Sequence, residues 1–486
     1  MDGRRLTYNL IYGAYQTMKL PFSPYLASVK PLLKTLIEKL NEEYPYASIL
    51  AQDSVAQRIG VSKTGVNVSE VGTLTKRGFV ARIHNGRGFS EYAFNELSED
   101  TLESILLSIR RAQANAKGND PLPEDAPHTL FEEADFEVDP QALRVKEIVN
   151  RLTILREKAL EKSDLLLDVS ASFVWQKMSK LFLSKNRDLS QSVIWTNGAL
   201  VALAARGEEI KDYYKGFSKL GGCELILEME SEDTLSKVVS TALELLESQP
   251  ILPGVYDCIC DPDTTGMIVH EAFGHGVEMD MFVKNRAQAK EFVGKRVASD
   301  LVNMHDGAAA ANECATYLFD DEGTLACDTL VIEKGILLTG YADQISAQRL
   351  GIAPTGNGRR QSYDHKAYTR MTNTFFAPGK DKLSDMIASI EYGFLLENPS
   401  SGMEDPKNWG IQCMVNIARE IKFGRLTGRI FSPIVLTGYV PDLLKSISMM
   451  SDDFILGGGG FCGKGYKEWV KVSDGGPYIK AKIRLG

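Results

Sequence analysis

The sequence predicts an α+β protein: a two-part αβ N-terminal region followed by a mostly β C-terminal domain that carries one histidine-bearing helix. Three observations lead there. Apolar stripes at helical spacing recur in the first half, as at Leu32, Leu33, Leu36, Ile37 and Leu40. Between them lie short runs of strand-forming residues broken by glycine, such as 78–83. Beyond residue 254 glycines and short strand signals dominate.

Taken in order, residues 1–28 read as an N-terminal extension, 29–120 as an αβ domain, 129–248 as a central αβ domain and 252–486 as the C-terminal domain. A first helix is expected over about 31–43, followed by β-rich runs over 48–94. Ser98 then opens a helix as N-cap, with Glu99 and Asp100 in its positive first turn. Prolines and acids over 119–128 mark a linker. A helix over about 141–162 and strands over 165–203 follow. Ser231-Glu232-Asp233-Thr234-Leu235 repeats the five residues found at Ser98, which fits either an internal duplication or two separate uses of a good helix start. Pro250 and Pro253 mark the boundary before the C-terminal domain, where one further helix is expected at about 382–390.

Composition narrows the function classes. At 486 residues the chain has room for two or three domains, and 44% hydrophobic with 24% charged residues is ordinary for a globular protein. A net charge of -9 argues against general nucleic-acid binding. No apolar run reaches the length of a membrane span, and no apolar core of a secretory signal follows Arg4 and Arg5. Seven scattered cysteines do not form a disulfide framework, so a cytoplasmic location is expected.

The chemistry concentrates at His270-Glu271-Ala272-Phe273-Gly274-His275, which holds two of the six histidines. Two imidazoles and a carboxylate supply what a hydrolytic zinc site needs, ligands for the ion and a base for its water. Residues 255–260 read as a buried strand. Asp261-Pro262-Asp263 then provides an N-cap, a proline at the first helical position and an acid in the first turn, so a helix should run to Gly274 or Gly276. The histidines stand at i and i+5, about 140° apart at roughly 100° per residue, so a regular α-helix does not converge them. A π-type widening or a helix end at Gly274 would realign them, so a local distortion is expected at 272–275. The bland alternative is a coincidental pair, one histidine capping the helix and the other buried.

Here the chain resembles the TldD/PmbA family of zinc metallopeptidases, in its TldD branch. The resemblance rests on 269–276 with its His-Glu-x-x-x-His, on Asp320-Asp321-Glu322-Gly323, on 355–363, on 370–374 and on Cys462-Gly463-Lys464. It implies that Cys462 is the third zinc ligand beside His270 and His275, in a metallopeptidase domain at 252–486. Glu271 would be the general base. It also implies unfolded or short peptide substrates, and a homodimer or a heterodimer with a PmbA-like subunit. Two rivals are a catalytically silent peptide-binding subunit of such a complex and a different zinc amidohydrolase.

Other constellations are less specific. Arg359 and Arg360 either clamp a substrate carboxylate or sit in a surface turn, and Tyr363 and His365 either assist the scissile carbonyl or support the site from outside. Family resemblance favours a site role for Arg359 and Arg360, a surface or supporting place is favoured for His365, and all four are carried as candidate substrate-binding residues. Asp320-Asp321-Glu322 reads as a plain polar turn closed by Gly323. His305 beside Asp306 reads as part of a solvated loop. Cys258 and Cys260 alternate on one strand face and read as small core residues.

Overall fold

The structure, a computed structural model, describes residues 17–113, 118–466 and 468–486. Most of the expected N-terminal extension, 1–16, lies outside the described residues. Its remainder is built into the fold: Met18–Lys19 pairs with Asp135–Phe136. The first helix starts at Pro24, earlier than expected, with Ser23 Oγ capping Leu26 N at 3.1 Å and Pro31 accommodated inside it. Pro24 takes the first helical position that proline favours, and the buried stripe extends back to Leu26.

The two expected N-terminal segments contribute strands to a single sheet. Its main path runs Glu209–Lys219, Arg187–Arg206, Leu166–Ser184, Tyr46–Ser62, Lys76–His84 and Phe89–Phe94, all antiparallel, and His128–Glu133 joins Arg187–Arg206 in parallel. Alternation along Tyr46–Ser62 divides the two faces. Ala47, Ile49 and Ala51 pack under helices Pro24–Glu43 and Glu99–Gln113. On the same face, Ile59 and Val61 pack with Ile148 and Leu152 of Val145–Leu160 and with Leu235 and Val238 of Glu232–Leu245. Ser98 and Ser231 cap Thr101 N and Thr234 N, each at 3.2 Å, so the repeated pentapeptide does the same local work twice.

The opposite face receives the C-terminal half. Leu50, Val80, Phe182 and Leu189 bury Phe319 there. Gln191 accepts from Leu318 N at 2.7 Å and donates to the Phe319 carbonyl at 2.9 Å. Asp320-Asp321-Glu322 does form a turn closed by Gly323 (φ 79°), but it is buried rather than exposed. Lys180 pairs with Asp321 and Arg82 with Glu322. These acids are internal because the sheet supplies their cations, a tertiary partner that local sequence does not reveal.

In the C-terminal half Gly254–Cys260 pairs in parallel with Tyr392–Asp405 and antiparallel with Ser473–Leu485. With Gly410–Lys422 and Ile434–Tyr439 between them, these five strands close a ring. Its core holds Cys258, Cys260, Leu396, Cys413, Leu436 and Ala481, against Met267, Ile268 and Phe273 of the histidine segment. Ser473–Leu485 also pairs with Asn373–Phe376, extending the sheet to Met304–Asp306 and Thr329–Glu333. All seven cysteines are free. Among the described residues no helix is long and apolar enough to cross a membrane.

Candidate metal centre

Cys260 leads directly into the site. Asp261 Oδ1 caps Thr264 N at 2.7 Å, Pro262 starts the helix, and Pro262–Met267 is α-helical. A π-helical turn then runs over Ile268–Gly274, followed by a tight turn at His275–Val277. The distortion is a π-widening that begins earlier than the expected 272–275 and ends at Gly274, just before His275. An i→i+5 turn sets His275 above His270 rather than on the far side of the helix. Their ring centroids are 5.3 Å apart and nearly perpendicular.

Gly274 takes an ordinary helical φ of -57°, so it is not needed for conformational freedom. It is needed for space: a Cβ there would lie 2.4 Å from Met371 Sδ and 3.1 Å from the Val269 carbonyl.

Cys462 comes from strand Phe461–Lys464 and meets the histidines from outside their helix. One ligand atom each from His270, His275 and Cys462 lies within 4.8 Å of the others. Cys462 Sγ is 3.5 Å from His275 Nε2. An imidazole nitrogen about 2.0–2.1 Å and a thiolate about 2.3 Å from one tetrahedral ion would be about 3.5 Å apart, so the donor set fits zinc. Burial opposes the Cys462 thiolate, but His275 and His270 outweigh it and hold the thiol pKa well below the ordinary cysteine value. Burial likewise opposes charge on His275, yet Cys462 and Glu278 raise its pKa well above the usual one. Glu271 Oε2 stands 3.8 Å from His275 Nε2, and its side chain retains 29% exposure, facing a route to solvent.

A second layer of polar groups surrounds these four. His275 Nδ1 meets Glu278 Oε2 at 3.3 Å, and Lys464 Nζ meets the same oxygen at 2.8 Å. Burial works against the Glu278 carboxylate, but Lys464 and His275 bring its pKa down to about 2. Glu404 Oε2 accepts from Gly276 N at 3.0 Å; burial pushes its pKa well above the carboxylate range. Arg370 donates to the Cys462 carbonyl, and Arg370 Nη1 to the Glu468 carbonyl at 3.1 Å. Asp306, fully buried, accepts from Thr372 N at 3.0 Å and Thr374 Oγ1 at 2.6 Å, which anchors the chain leaving Arg370. The sequence signals for these were slight: Glu278 lies one helical turn after His275, and Lys464 shares a strand face with Cys462.

The four residues expected to bind substrate are engaged elsewhere. Arg359 donates to the Met371 and Lys471 carbonyls at 2.5 and 2.6 Å. Arg360 grips Glu91 of the N-terminal sheet at 2.9 Å and the His365 carbonyl at 2.7 Å. Tyr363 lies over Gly78, where a Cβ would come within 2.4 Å of its ring. His365 Nδ1 contacts Ser362 Oγ at 2.9 Å and Asp364 Oδ1 at 3.0 Å. Arg360 ties the two halves together through Glu91, Arg359 holds backbone within the C-terminal half, and none of the four joins the His–His–Cys cluster. His305 is not in a solvated loop either: it sits in a strand, stacked on Phe375 with centroids 5.4 Å apart.

A histidine–glutamate–histidine turn facing a buried thiol, set on a closed sheet, has the layout of a metallopeptidase centre. Residues 253–484 match the PmbA/TldA metallopeptidase C-terminal domain, so the C-terminal half of the chain is a domain of the TldD/PmbA family. A metalloprotease TldD homolog from Buchnera aphidicola is 35% identical over 248 residues, 50% of this chain and 50% of its own length. A zinc metalloprotease TldD homolog from Saccharolobus solfataricus is 32% identical over 235 residues, 48% of this chain and 52% of its own. The matches thus span about half the length of these curated relatives. TldE from Thermococcus kodakarensis, only 16% identical, superposes with a TM-score of 0.74 over 93% of this chain and 99% of its own, and shares the fold.

Proposed function

We propose that this chain is a zinc-dependent peptidase that cleaves unfolded or short peptides, with His270, His275 and Cys462 as zinc ligands and Glu271 as general base. The observation that carries this reading is the 3.5 Å approach of Cys462 Sγ to His275 Nε2 inside a cluster that also holds His270. Zinc held there would supply polarisation of the scissile carbonyl and acidification of the attacking water. Three protein donors leave the fourth position open, as hydrolysis requires. Glu271 takes the proton of the attacking water and returns it to the leaving amine nitrogen. A thiolate donor lessens the charge left on the ion, which makes the carboxylate base more important.

The relatives' TldD names and the fold shared with a TldE chain support assembly as a homodimer or with a PmbA-like subunit. Seven unpaired thiols support a reducing, cytoplasmic setting. Metal analysis and peptide cleavage with the parent chain, Glu271→Ala and Cys462→Ser test the reading. Glu271→Ala should keep zinc and lose turnover, and Cys462→Ser should lose zinc. Undiminished cleavage by Glu271→Ala would overturn the mechanism.

A further inference from the structure

Strand Phe461–Lys464 presents two side chains to the histidine segment, because residues two apart in a strand share a face. Cys462 meets His275 Nε2 at 3.5 Å on one side of the imidazole. Lys464 reaches past it to Glu278, the residue on the ring's other side. Lys464 Nζ lies 2.8 Å from Glu278 Oε2, 2.7 Å from Asp280 Oδ1 and 3.0 Å from the Thr369 carbonyl. Glu278 is 1% exposed, and the oxygen that receives Lys464 also meets His275 Nδ1 at 3.3 Å. A carboxylate can only accept, so Nδ1 carries the shared hydrogen and Nε2 keeps its lone pair free for a metal. Thr369 precedes Arg370, whose guanidinium holds the Cys462 carbonyl. One short segment therefore fixes both ends of the strand that carries the thiol.

We propose that Glu278 and Lys464 form a positioning clasp: Lys464 locks Glu278, Glu278 orients His275, and the clasp sets Cys462 and His275 in register for the metal. This rests on the zinc reading above. Neither residue touches the reacting atoms. The arrangement is a carboxylate–histidine pair of the kind that tunes metal sites, with a lysine from the third ligand's own strand added. It makes two ligands that are far apart in sequence interdependent, since a shift of the strand moves both the thiol and the group that orients the imidazole.

The test uses the full chain and two metal readouts: zinc affinity by competition with a chromophoric chelator, and the absorption spectrum of the cobalt-loaded protein. Glu278→Ala should weaken zinc binding about 10- to 100-fold, and Lys464→Met about 10-fold, each with an altered cobalt spectrum. Glu278→Gln keeps an acceptor for Nδ1 and the side-chain shape, so it should fold as the parent does and lose affinity by a smaller factor. It carries the test should the alanine variant not fold. Lys284→Ala removes a different cation from Asp280 without touching Glu278, and should change neither readout. Parent-like affinity and spectrum in Glu278→Gln and Lys464→Met would overturn the clasp while leaving the zinc reading standing. A parent chain that takes up no zinc would overturn both.

Discussion

Gly402 lies flat against Glu271: a Cβ at position 402 would sit 2.6 Å from Glu271 Cγ and 2.7 Å from its Cβ. The strand Tyr392–Asp405 is thus the wall on which the carboxylate rests. Contact with the base of the side chain leaves it no room to yield without moving the carboxyl group. Gly402→Ala should therefore lower peptide turnover about 100-fold, the cost of a misplacement on the order of 1 Å, while zinc content stays at the parent level. Loss of zinc in parallel with turnover would show that the strand supports the ligands rather than the base.

Gly274→Ala makes a different demand, on stability. The added methyl would meet the fully buried Met371 and the Val269 carbonyl, with Tyr341 Oη 3.3 Å away. Overpacking of this kind costs about 1–3 kcal/mol, and should appear as a lowered unfolding midpoint in the metal-free protein. An unchanged midpoint would mean that Met371 swings aside freely.

How much of this was legible in advance depends on where the partners lie. His270, Glu271 and His275 stand within six residues of chain, so their chemistry and the need for a local helix distortion both follow from local spacing. Cys462 is different: nothing in its surroundings separates it from six other cysteines, and only family resemblance points to it. Gly274 reads as a helix breaker, yet its φ is helical and its purpose is closeness to Met371, a contact made across nearly a hundred residues. Arg359, Arg360 and Asp321 look like surface or substrate groups because their counter-charges and acceptors arrive from Glu91, Lys180 and distant backbone. Long-range pairing decides whether a charged turn is exposed, and a single sequence does not display it. The merging of two expected αβ segments into one sheet has the same origin, since Tyr46–Ser62 pairs with Leu166–Ser184 across the linker.

The junction between the N-terminal sheet and the C-terminal half should be acid-sensitive. Burial disfavours the Glu91 carboxylate, but Arg360 and then Arg82 outweigh this and set its pKa below the usual glutamate value. A carboxyl with a lowered folded pKa stabilises the fold fully above its unfolded pKa of about 4.3, and that contribution is lost as pH falls below it. Glu91→Gln leaves the buried Arg360 guanidinium without its counter-charge, at a cost of about 1–3 kcal/mol near neutral pH. The gap in unfolding midpoint between parent and variant should narrow as pH drops from 6 through the low 4s, roughly the glutamate range. A gap independent of pH would mean that the loss is one of packing alone.

Lys471 should give a slope of the same sign at the alkaline end of the scale. Its ammonium lies between the rings of Trp195 and Phe461, 4.7 and 4.5 Å from their centroids, and donates to Asn197 Oδ1 at 2.5 Å. Burial brings its pKa down to about 8. The unfolded chain, with a lysine pKa of about 10.4, holds that proton over the interval in which the folded chain releases it. The cost of the buried charge is thus fully present below about 8 and is relieved as pH rises toward about 10.4, by up to roughly 3 kcal/mol. Lys471→Met fills similar space with no charge to titrate. Urea midpoints of the two proteins, compared at each pH so that all other groups cancel, should move in the parent's favour between about pH 8 and 10, over the window set by those two values. A constant difference would show that Lys471 is not the group whose burial costs the fold.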